Sequence, residues 1–81
     1  MDQRIGAILI LIENKNQVGK LNDILSKHAS IIMARQGLPL RDRNLNIISL
    51  VVESSPDELS ALTGQVGKLD GVQVKSMMTK Q

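Results

Sequence analysis

Apolar and polar positions follow two rhythms along this chain. Residues 4–12 (RIGAILILI) are an almost unbroken small or apolar run rich in β-branched Ile. The run is too short for a buried helix and predicts a strand. The polar stretch Glu13-Asn14-Lys15-Asn16 ends it, and Asn16 is the expected N-cap of a helix over about 17–28. Val18, Leu21, Ile24, Leu25 and His28 recur at spacings of three and four, so they share one helix face. Residues 30–36 (SIIMARQ) read as a second strand, which Gly37-Leu38-Pro39 should weaken or end. Residues 40–44 read as a polar connection and 45–53 (LNIISLVVE) as a third strand. Ser55-Pro56-Asp57-Glu58 is a strong helix start, with a capping serine, a proline at the first helical position and a glutamate three residues after the cap. That helix should run to about 68 on Leu59, Leu62, Val66 and Leu69. Asp70-Gly71 stops it, and Val72 to Thr79 forms a fourth strand.

The order β-α-β-β-α-β is two βαβ halves joined by a hairpin. It predicts an α+β, ferredoxin-like sandwich: a four-stranded antiparallel sheet of order 4-1-3-2 with two helices on one face. That order requires central strands apolar on both sides of their alternation. The first strand carries Ile8, Ile10 and Ile12 on one side and Ala7, Leu9 and Leu11 on the other. The third carries Ile48, Leu50 and Val52 against Leu45, Ile47 and Val51. The outer strands are more polar, with Arg35 and Gln36 in the second and Gln73 and Lys75 in the fourth. Two helices cover one face only. Leu9, Leu11, Ile47 and Val51 are left on the other, and an aliphatic patch of that kind points to a homo-oligomer, a dimer or tetramer, meeting through this face.

Composition narrows the chemistry. The 81 residues imply one domain, residues 1–81. The chain lacks Cys, which removes disulfides, iron–sulfur clusters, thiolate zinc sites and a cysteine nucleophile. It lacks Phe, Tyr and Trp, which removes the stacking platforms of single-strand and RNA-recognition modules. The core must therefore be Ile, Leu and Val with Met as filler. The net charge of +2 is a weak hint of nucleic-acid binding. The eight-residue apolar run of Ile5 to Ile12 is too short to span a membrane and lacks the flanks of a signal peptide. A cytoplasmic protein without membrane attachment is expected.

Three of the four arginines, Arg35, Arg41 and Arg43, fall in the region of the second and third strands and the hairpin between them, with Gly37 and Pro39 between them. Guanidinium groups there suit an anionic ligand or a subunit contact, against the plainer reading of a solvated hairpin whose charges blunt an edge strand. Glu13, Asn14 and Asn16 belong to the turn before the first helix, where a small polar ligand could meet a helix N-terminus, or where the residues simply cap. His28, the only imidazole, reads as a cap at the end of the first helix. No metal site and no cofactor are expected. Gly64-Gln65-Val66-Gly67 matches the GxxG pattern of KH modules but falls within a helix, where close packing and helix termination account better for the glycines. The tetrapeptide VGKL occurs at 18–21, where it opens a helix, and at 66–69, where it closes one, so it is not a structural repeat. No set of residues for acid–base or nucleophilic catalysis is apparent, and no enzyme is expected.

The chain resembles the small iron-only hydrogenase system regulators of anaerobic bacteria over nearly its whole length, through the segment from Ile31 to Ser76 above all and more loosely before residue 18. The likeness rests on RxGxP from Arg35 to Pro39, the following Arg41 and Asn44, ALTGQVGKL at 61–69 and GVQVK at 71–75. The resemblance implies an ACT-like fold, similar to the C-terminal domain of the nickel-responsive regulator, an oligomer, and a regulatory role in hydrogenase expression or maturation. Two departures from the nickel-responsive regulator argue against operator recognition and nickel sensing. The 81 residues are expected to leave no room for a ribbon-helix-helix arm, and they lack the Cys and multiple His ligands. The leading expectation is a non-enzymatic module that binds a small-molecule effector or a partner protein. The alternatives are a nucleic-acid-associated transcriptional regulator module and, last, a small ferredoxin-like enzyme acting on anionic substrates.

Overall fold

A computed structural model describes residues 2–80. Strand β1 runs Arg4–Ile12, helix α1 Val18–Lys27, strand β2 Ile32–Leu40, strand β3 Leu45–Ser54, helix α2 Pro56–Gly67 and strand β4 Val72–Met78. The sheet order is β2-β3-β1-β4, antiparallel throughout, with both central strands from the apolar runs. This is the expected α+β sandwich.

Both helices lie over the face that carries Ile8, Ile10, Ile12, Ile48, Leu50 and Val52. Leu21 and Leu25 of α1 and Leu59, Leu62 and Val66 of α2 complete a core of Ile, Leu and Val. Ile10, Val52, Leu21, Leu62 and Val66 have no exposed surface at all. Each such side chain contributes roughly 1.5–3 kcal/mol of burial.

The two helices begin differently. Helix α2 has the full capping box: the Glu58 amide donates to the Ser55 hydroxyl, and the Ser55 amide donates to the Glu58 carboxylate at 2.9 Å. The first of these bonds is 3.1 Å long. The expected cap of α1, by contrast, is two residues displaced. A 3₁₀ turn at Lys15–Gln17 precedes the helix, and Asn14 accepts the Asn16 amide at its start. Gln17, at the N-terminus of α1 itself, makes no side-chain capping bond. Asn16 therefore caps nothing.

Strand β2 also differs from the expectation. It does not end at Gly37 but continues through Pro39 to Leu40, in register with Leu45 to Ile48 of β3. An edge strand tolerates this, because one side of its backbone needs no partner and a missing N–H costs little there. Another 3₁₀ turn, Arg41–Arg43, makes the connection, and Asn44 closes it in the left-handed region at φ 52°. Gly71 turns the chain from α2 into β4 at φ +72°. A side chain there would sit 2.8 Å from Asn14 Cβ, so only glycine fits. Gly64 packs against nothing, whereas Gly67 ends α2 beside Val74. No helix among the described residues is long and apolar enough to cross a membrane.

Candidate functional site

Pairing register assigns each side chain of β2 to a face. Ala34, Gln36 and Leu38 lie opposite Val51, Ser49 and Ile47, hence on the uncovered face. Arg35, Gly37 and Pro39 lie opposite Leu50, Ile48 and Asn46, on the helix side. Between this part of β2 and the start of α1 runs a groove of about 260 Å³. Gly37 creates much of the space: a β-carbon there would meet no atom within 4 Å. Ile12, Val18 and Pro39 supply apolar walls, and Arg35 and Asn46 supply the polar ones. The Arg35 guanidinium donates to the Asn22 side chain on α1 at 2.8 Å, an exposed bond that bridges the edge strand to the helix.

The candidate residues thus divide into three places. Arg35, Gly37 and Pro39 share the groove. Arg41 and Arg43 flank Asp42 beyond the end of β2, around a separate depression with Pro39 and Leu40. Glu13, Asn14 and Asn16 form a turn whose polar groups are engaged within the chain. The Glu13 carboxylate accepts the Gln73 amide at 3.0 Å, the Glu13 amide donates to the Gly71 carbonyl at 2.9 Å, and Asn14 accepts from Asn16. Asn22 was not among the expected contacts. Its position one turn after Val18, on the side of α1 that meets β2, was the available signal.

His28 closes α1: its amide donates to the Leu25 carbonyl at 3.1 Å, and its Nε2 lies 3.2 Å from the Gln65 side-chain oxygen on α2. It ties the two helices together outside the groove. No group of three or more His, Asp or Glu able to hold a metal occurs among the described residues.

The uncovered face is the second candidate. Ile5, Ala7, Leu9 and Leu11 of β1 share it with Ile47 and Val51 of β3, Leu38 of β2 and Met77 of β4. Leu9, Val51, Leu38 and Met77 are 45, 41, 53 and 75% exposed. Along its middle, Ala7, Leu9, Ser49, Val51, Lys75 and Met77 line a hollow of about 420 Å³.

A family model matches residues 4–76: the TM1266-like family, described as "Iron-only hydrogenase system regulator, putative". Among solved structures, the chain is similar to the uncharacterized protein TM1266 from Thermotoga maritima, with 30% identity and a TM-score of 0.93. That match covers 98% of this chain and all of the other. The ACT domain from the GTP pyrophosphokinase of Chlorobium tepidum superposes with a TM-score of 0.79 at 22% identity, over 94% of this chain and 100% of that one. The C-terminal domain of the MgtC protein from Mycobacterium tuberculosis gives 0.73 at 12% identity, over 96% and 89%. The last two show a shared fold alone. Among the curated proteins none matches.

Proposed function

Because the chain belongs to the TM1266-like family of iron-only hydrogenase system regulators, we propose that it is a non-enzymatic, ACT-like regulatory module. It assembles with copies of itself through the uncovered sheet face and takes a small effector in the groove between β2 and α1. The observation that carries the effector site is the space at Gly37 beside the Arg35 guanidinium. At about 260 Å³ the groove is at the small end of ligand sites. It suits a small anion with a short apolar part: Arg35 offers paired N–H donors, and Ile12, Val18 and Pro39 offer apolar contact. The Arg35–Asn22 bond is exposed and single, so an anion can exchange for Asn22 at modest cost.

Leu38 and Ile47 border the groove and also belong to the open face. A ligand that shifts β2 against α1 would therefore favour one packing of subunits over another, and reciprocally assembly would change ligand affinity. Native mass spectrometry tests both parts. The purified protein is expected to be oligomeric and to carry a small adduct. Gly37→Val, at a position with ordinary backbone angles, fills the groove and should remove the adduct without dissociating the oligomer. Arg35→Ala should weaken retention roughly tenfold, and Arg41→Ala with Arg43→Ala should leave it unchanged. Retention that survives Gly37→Val places the ligand elsewhere.

A further inference from the structure

The uncovered face is not uniformly apolar. Strand register resolves it into rows across the sheet. One row is Met77, Ala7, Val51 and Ala34, and another is Gln73, Leu11, Ile47 and Leu38. Between them lies a polar row, Lys75, Leu9, Ser49 and Gln36, read from β4 to β2. Lys75 is the only ionisable side chain in these three rows. It stands at one edge of the sheet, and Gln36 stands at the other, roughly 14 Å away at three strand spacings.

We infer that this face takes a second copy of the chain about a two-fold axis running along the strands, so that Lys75 of each copy lies over the partner's Gln36. The inference rests on the assembly reading above and adds the orientation of the two subunits. Four strands over seven paired residues outline ~450 Å² per copy. Two copies thus cover ~900 Å² before side-chain relief is counted, close to the ~1,000 Å² that a specific contact needs. A contact of that size does not tolerate an unpaired ammonium within it.

Two simple two-fold arrangements stack the sheets face to face with the polar rows together. With the axis across the strands, each residue of the polar row meets its own copy. Lys75 then faces Lys75, a like-charge contact in a desolvated setting. With the axis along the strands, the row is reversed onto itself. Each Lys75 ammonium then finds a Gln36 carbonyl oxygen as acceptor, Leu9 meets Ser49, Ala7 meets Val51 and Leu11 meets Ile47. Charge-assisted hydrogen bonds form twice by symmetry, and in one adjoining row large side chains oppose small ones, Met77 over Ala34 and Val51 over Ala7. The usual rotation of about 30° between packed sheets displaces the row ends by a few ångströms, within the reach of a lysine side chain.

Sedimentation equilibrium on the full chain tests the orientation by charge exchange. Gln36→Lys sets ammonium against ammonium at both ends of the row and should weaken assembly roughly tenfold or more. Gln36→Lys/Lys75→Glu sets carboxylate against ammonium and should return it to within a few-fold of wild type. Both side chains are exposed in the single chain, and they are too far apart to meet within it. Far-ultraviolet circular dichroism should accordingly match wild type for both variants. An oligomeric wild type that is indifferent to Gln36→Lys, or a double variant no better than the single one, overturns the orientation and leaves the assembly reading standing. A monomeric wild type overturns both, whatever else occupies the face.

Discussion

The two faces of β1 and β3 are both rich in aliphatic residues, yet only one of them is covered. On the helix side Ile8, Ile10, Leu50 and Val52 are at most 2% exposed. One residue along, Leu9 and Val51 are 45 and 41% exposed. Alternation in a strand decides which residues share a face, and only the connections decide which face is covered. Both helical connections cross on one side, as right-handed βαβ units require. The aliphatic residues on the other side are therefore surplus to the core of a single chain, and they bear on what the chain meets.

Truncating neighbours on opposite faces should have very different costs. Ile10→Ala should cost about 2–5 kcal/mol, because a fully buried side chain leaves a cavity between sheet and helices. Leu9→Ala should cost less than about 1 kcal/mol in dilute protein, where its face is open. In concentrated protein its cost should grow, since assembly adds to apparent stability. Urea denaturation of both variants at two protein concentrations measures this. Equal costs at both concentrations would mean that the open face takes no copy of the chain.

The covering of the helix side also differs along its length. Helix α2 is fastened by its capping box, whereas α1 follows a 3₁₀ turn and lacks a side-chain cap of its own. Ser55→Ala should cost about 1 kcal/mol. Asn16→Ala should be close to neutral, because the Asn16 side chain caps nothing and only its amide is held by Asn14. Thermal unfolding of the two variants ranks them. A larger loss for Asn16→Ala would contradict the assignment of Asn14 as the cap.

The topology was legible in the sequence because its signals are local or periodic. Continuous apolar runs mark central strands, and Ser55-Pro56-Asp57-Glu58 announces a helix without help from the rest of the chain. The differences arose where tertiary pairing overrides local preference. Gly37 and Pro39 end strands in isolation but not beside Asn46 to Ile48 on an edge. Asn14 and Asn16 are equally good caps by type, and only the interposed 3₁₀ turn separates them. The arginine cluster was legible as composition, not as a site. Alternation turns Arg35 toward α1, while Arg41 and Arg43 lie past the strand, so the three never converge. The groove is a product of an absent side chain on β2 and the packing of α1, neither of which has a periodic signature. The polar row on the open face needs the register of all four strands at once.

The smallest expected effect concerns the proton balance of the α2 cap. Glu58 is held below the usual carboxylate range, first by the Ser55 amide, then by the Gln3 side chain and the Ser55 hydroxyl. A carboxylate whose folded pKa is depressed adds stability that is fully present above its unfolded value. That stability is lost as pH falls through the folded one. The contribution should therefore be intact at neutral pH and fade below the ordinary value of 4.5. Glu58→Gln keeps an oxygen acceptor for the Ser55 amide but removes the titration. Its stability should fall below that of wild type at pH 7, and the gap should narrow in acid below the ordinary value of 4.5, as wild type protonates. Urea midpoints at pH 7 and in acid make the comparison. A gap that persists in acid would assign the cap's worth to packing of the Glu58 side chain instead of its charge. The fastening of α2 to the covered face would then be independent of pH.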